Sequence, residues 1–116
     1  MAESVKVWSI KNQPIADLQA VQEFEIFTGR EPNILSIQLD WEGLTGTTDS
    51  TVQVLQKNDP ALKWSEIQEL SVILSTASDS IILENSEWGG EVLGIRVTKN
   101  NCTGGVLNVV TIAKNK

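Results

Sequence analysis

The sequence predicts an all-β protein, an antiparallel β-sandwich or jelly roll of about seven or eight strands. Three observations predict it. Apolar and polar residues alternate with a period of two in several stretches, turn-forming residues separate those stretches, and only one segment competes as a helix.

Residues 5–10 add an edge strand at the start, and residues 1–20 as a whole read as an N-terminal arm or edge strand. The sandwich domain then covers 21–116. The helical competitor is 15–24, where Ile15, Leu18, Val21 and Gln22 partly fit a stripe behind Pro14, a residue tolerated at a helix start. Phe24 and Ile26 alternate with Glu23 and Glu25. The clearest strand is 34–41, in which Leu35, Ile37, Leu39 and Trp41 share one face. Val52 and Val54 around Gln53, and Leu93, Ile95 and Val97 around Gly94 and Arg96, repeat the pattern. Residues 70–74, 80–83 and 105–113 are β-rich apolar stretches. Between the strands, 28–33, 43–50, 57–60, 75–79, 85–90 and 99–104 are rich in Gly, Pro, Asn, Asp and Ser, which supply positive φ, fixed φ or local hydrogen bonds.

At 116 residues, with 41% hydrophobic and 21% charged residues, the chain has the size and composition of one ordinary folded domain. The formal charge of -6 opposes binding to nucleic acid or to anionic lipid, and no run of Lys or Arg offers a local exception. No segment approaches the roughly 18 apolar residues of a membrane span. The start, Met1-Ala2-Glu3-Ser4, has no basic or long apolar region, so synthesis in the cytoplasm is expected.

The chain contains neither histidine nor tyrosine, which removes the commonest general base and metal ligand and another acid-base group. No enzymatic activity and no cofactor are therefore expected. Cys102, the single cysteine, cannot form an internal disulfide and has no histidine to activate it. Asn101-Cys102-Thr103 matches a glycosylation sequon, read as accidental without a secretory signal. Asp40, Glu42 and Asp49 flank a Gly-rich loop and raise the question of a carboxylate pair or a hard-cation site, but their spacing fits no defined motif and solvated acids are the favoured reading. Residues 43–48 lack the Gly-Lys-Ser/Thr ending of a phosphate loop.

Two features point instead to a binding surface. In 105–113, Leu107, Val109 and Ala113 occupy one strand phase while Val106, Val110 and Ile112 occupy the other, so both faces are apolar. The second face is expected to be covered by another chain, or by Val5, Val7 and Trp8 of the N-terminal arm. Of the tryptophans, Trp41 follows the buried phase, Trp64 suits a plug between sheets, and Trp8 and Trp88 are candidate interface anchors. Exposed tryptophans also keep a glycan as an alternative partner.

The stretches Thr51-Val52-Gln53-Val54-Leu55-Gln56-Lys57-Asn58-Asp59, Trp64-Ser65-Glu66-Ile67, residues 92–98 with Arg96-Val97, and Thr103-Gly104-Gly105-Val106-Leu107 resemble small β-sandwich proteins of tailed bacteriophages. In those the pattern is a "V-x-V-Q-x-S-N-D-G" strand, a nearby Trp, a late "Arg-Val" strand and a closing "T-G-T-L-x-V" strand. The resemblance covers about residues 35–114, and departs at Lys57, Pro60 and Gly105, where the pattern prefers Ser, Gly and Thr. It implies a virion component such as a capsid decoration protein, head fibre or tail-associated protein, assembled with copies of itself and other virion proteins. A carbohydrate-binding β-sandwich module is the alternative.

Overall fold

Residues 5–28, 34–85 and 91–114 are described by the computed structural model. They form eight strands, β1 (Val5–Pro14), β2 (Val21–Thr28), β3 (Ile34–Gly46), β4 (Thr51–Lys57), β5 (Ser65–Ile73), β6 (Asp79–Asn85), β7 (Val92–Thr98) and β8 (Cys102–Lys114). A 3₁₀ turn at Ile15–Asp17 joins β1 to β2.

Strand pairing follows one rule. β1 pairs with β8, β2 with β7, β3 with β6 and β4 with β5, all antiparallel, as in a long ribbon doubled back at its middle. The β3–β8 and β4–β7 ladders then close the ribbon into two four-stranded sheets, ordered β1-β8-β3-β6 and β2-β7-β4-β5. This wrapped ribbon is a jelly roll, which decides between the two sheet arrangements the sequence left open.

The core lies between the sheets, where the alternating phases meet. Leu35, Ile37, Leu39 and Trp41 of β3, with Leu107, Val109 and Ala113 of the neighbouring β8, face Val52 and Val54 of β4 and Leu93, Ile95 and Val97 of β7. All are buried, so the period-two reading of these four strands holds.

Elsewhere the chain departs from that reading. No helix spans 15–24: the 3₁₀ turn is three residues long, Ile15 and Leu18 are buried at the end of the core, and Val21 opens β2 with 49% of its surface exposed. One turn is enough to bury the two apolar residues, and the Lys99 ammonium fixes it by donating to the Leu18 carbonyl at 3.0 Å. Strand β3 also runs on into the expected turn at 43–50, as far as Gly46. Its pairing with β8 is interrupted after Glu42 and resumes at Thr45 and Gly46, with Gly43 and Gly46 at positive φ and Leu44 buried. The close approach needs Gly105, since a Cβ there would sit 2.7 Å from Leu44 Cδ2. Strand β5 starts earlier than expected, at Ser65, because its register against β4 shifts between Gln53 and Leu55 and buries both Ile67 and Leu70. A bulge hides such a strand from any two-residue count.

Trp64 is not a plug between the sheets. It lies on the outward side of β7, where Gly94 leaves room for its ring, and Lys57 Nζ sits 4.2 Å above that ring. Leu55 and Val92, which register places on the same outward side, are fully buried although they stand apart from the main core. Leu55, Val92 and Gly94 thus form a second, smaller buried group outside the main core, with the Trp64 ring lying against Gly94.

Candidate interaction face

The outward side of the β1-β8-β3-β6 sheet is built by register. Val7 of β1 lies opposite Ile112 of β8, and Ile112 opposite Ser36 of β3; Ser9, Val110, Gln38 and Ile82 form the next row across all four strands. Asn108, Asp40 and Ser80 follow, and then Val106 and Glu42. Val7 is 63% exposed, Ile82 55% and Ile112 42%, while Val106 and Val110 are half-buried by their neighbours. The apolar outward residues of β8 therefore form a narrow strip, widened by Val7 on one side and separated from Ile82 on the other by Gln38.

The N-terminal strand does not supply the expected cover. Val7 stands beside Ile112 on the sheet surface and extends the strip without covering it. Trp8 points the other way. It pairs with Thr111, which is buried on the inward side, and its ring meets Phe24 of the opposite sheet at 6.1 Å between centroids. Trp8 thus closes the open edge between β1 and β2 and does not share a face with Val106, Val110 and Ile112. Among the described residues, nothing in the chain lies over the strip. Trp88 falls outside the described residues.

The remaining tryptophans are engaged. Trp41 is buried and its Nε1 donates to the Thr76 carbonyl at 3.0 Å; Trp64 lies between Gly94 and Lys57. The cavity beside Trp64, lined by Gln56, Lys57, Asn58, Leu62, Lys63 and Ser65, measures about 170 Å³. That is below the roughly 300 Å³ at which drug-sized ligand sites begin.

The acidic residues separate by location. Asp40 and Glu42 lie on the outward side of β3, opposite Asn108 and Val106. Asp49 instead holds the β7–β8 turn: its Oδ1 accepts from the Asn101 backbone N–H at 3.0 Å, its Oδ2 from Asn101 Nδ2 at 2.9 Å, and its carbonyl from Asn100 Nδ2 at 2.7 Å. Asn100 sits at φ 53°, a strained position for a side-chain-bearing residue, which such bonds stabilise. Among the described residues, no three His, Cys, Asp or Glu side chains gather as a metal site. Asp49→Ala is expected to lower unfolding stability by about 1–2 kcal/mol, read by urea titration, since it removes two bonds to Asn101. An unchanged midpoint would show the turn to be held without it. Cys102 is buried, with its Sγ 3.3 Å from the Gly104 carbonyl. No helix among the described residues is long and apolar enough to cross a membrane.

The sequence pointed to the β8 residues through their double-sided pattern, but missed Ile82. Only the pairing of β6 with β3 brings it to the same surface; its signal was the middle position of the apolar run Ile81-Ile82-Leu83.

No family model and no curated protein sequence matches this chain. Solved structures share its architecture. A chain of the cyanophage Pam1 capsid asymmetric unit superposes with a TM-score of 0.52 at 15% identity, covering 98% of this chain and 85% of that one. The SPBc2 prophage-derived protein YomS superposes with a TM-score of 0.51 at 12% identity, covering 97% and 96%. Eiger TNF from S. frugiperda gives 0.55 at 10% identity, covering 79% of this chain and 64% of that one. At these identities the likeness establishes the shared fold, which unrelated functions use.

Proposed function

We propose that this chain is a non-enzymatic structural protein of a tailed-phage virion, which assembles on a capsid or tail lattice with copies of itself and other virion proteins. The observation that carries the reading is the strip of Val7, Ile112 and Val110, with Val106 further along β8, which no described part of the chain covers. A middle strand of a two-layer sandwich normally turns polar residues outward; apolar ones there fit a surface buried on assembly. The phage capsid chain and the prophage protein of like fold support a virion setting. The lack of histidine and tyrosine supports a role without catalysis, and the charge of -6 supports partners other than nucleic acid.

The mechanism is burial of complementary surface. A narrow strip gives a weak single contact, and repetition on a lattice multiplies it through effective concentration. Replacing Val110 and Ile112 together with Lys places two charges in that contact. The variant is expected to keep its far-ultraviolet circular dichroism and to weaken self-association at least tenfold, read as molar mass by light scattering over a dilution series. A mass profile identical to the native one would remove this face from the assembly contact.

A further inference from the structure

Among the described residues, the two sheets have four edge strands, β1 and β6 in one and β2 and β5 in the other. Open edges offer unpaired backbone groups to other chains, and proteins commonly blunt them with bulges, proline or charge. Three of these edges are interrupted. β1 shifts register between Ile10 and Gln13, where Asn12 stands at φ 55°, and ends in Pro14; β2 shifts between Glu25 and Phe27; the β4–β5 ladder shifts between Gln53 and Leu55. β6 differs. Its seven residues pair with β3 without a shift, it contains no Pro or Gly, and its two charges, Asp79 and Glu84, lie toward the ends and leave Ser80–Leu83 uncharged.

The residues of β6 also suit one particular occupant. Laid antiparallel on a second copy in the full-overlap register, Asp79 falls opposite Asn85, Ser80 opposite Glu84, Ile81 opposite Leu83, and Ile82 opposite itself. No like charges meet across the pair. Ile81 and Leu83 are partly buried against the core at this open edge, and Ile82 is exposed, so each gains burial from the added strand. We infer that β6 is a self-pairing edge: two copies of this chain join β6 to β6 about a two-fold axis, fusing their β1-β8-β3-β6 sheets into one continuous sheet. This interface goes beyond the proposed function, since it uses backbone pairing at the sheet's edge and not the β8 strip.

The test uses the full chain and reads molar mass by light scattering over a dilution range. The native protein is expected to form a dimer. Ser80→Glu sets a new carboxylate against Glu84 of the second copy twice per dimer, and is expected to raise the dimer dissociation constant about tenfold. Adding Glu84→Lys turns both contacts into opposite-charge pairs and is expected to restore the native value. Position 80 also faces Asp40 within its own chain, but that repulsion is the same in both variants. Positions 80 and 84 lie about 13 Å apart along one strand, so the rescue acts only between chains. A native protein that stays monomeric, a Ser80→Glu profile equal to the native one, or a double variant that fails to recover would each overturn the pairing. The Val110→Lys, Ile112→Lys variant separates the two interfaces: loss of the dimer there, with none in Ser80→Glu, overturns the edge and leaves the β8 strip standing.

Discussion

Trp41→Ala is expected to lower the free energy of unfolding by about 3–5 kcal/mol, the cost of emptying a large aromatic site in a packed core. Trp41 is 3% exposed and belongs to the core between the sheets. It also binds the end of β3 to the turn before β6: its Nε1 donates to the Thr76 carbonyl, Leu44 N–H donates to the Ala77 carbonyl at 2.9 Å, and Gly43 N–H to Ser78 Oγ at 3.1 Å. Removing the indole leaves a void and deprives the Thr76 carbonyl of its donor. Trp41→Phe separates the two effects. It keeps most of the ring volume, and loses about 1 kcal/mol for the hydrogen bond together with a smaller packing loss. Urea titration of the three proteins measures both. A deficit below about 1 kcal/mol for the alanine variant would mean that the site collapses or is already wet, contrary to its burial.

The second large effect is expected at a residue without a side chain. Gly94 lies on the outward phase of β7, and a Cβ placed on it would stand 2.7 Å from Trp64 Cη2 and 2.9 Å from the Phe24 carbonyl oxygen. One of these contacts can yield by rotation of an indole; the other is backbone of the neighbouring strand. Gly94→Val is accordingly expected to destabilise by about 3 kcal/mol, toward the upper end for overpacking. Because Trp64 is one of the obstructing groups, the penalty is expected to shrink by at least about 0.5 kcal/mol in a Trp64→Ala background. Equal penalties in both backgrounds would place the whole strain on the β2 backbone.

The same two residues mark where the sequence is legible. Trp41 could be assigned to the core from the sequence because it continues the phase of Leu35, Ile37 and Leu39, and period-two alternation follows directly from strand geometry. Trp64 was misplaced as a plug between the sheets, since its partner Gly94 is 30 positions away and its own neighbours include no alternating apolar set. Leu55 and Val92 were not singled out either, because they are buried on the outward side of their strands, where alternation expects polar residues. The β8 strip was legible because one strand carried both apolar phases. Its setting was not, as Val7, Gln38 and Ile82 reach it only by pairing. Asp49 looked like a companion of Asp40 and Glu42 in the chain, whereas the fold bonds it to Asn101.

The sequence by itself determined the all-β class, the inward faces of β3, β4, β7 and β8, and the shortage of catalytic groups. These depend on residue type and on spacings of two, which are local. Tertiary structure alone decided the jelly-roll order, the extension of β3 to Gly46, the sides that Trp8 and Trp64 face, and which edge of which sheet is left unbroken. Those depend on which distant strands share hydrogen bonds, and alternation within a strand says which residues lie on a common side without saying what will lie against them.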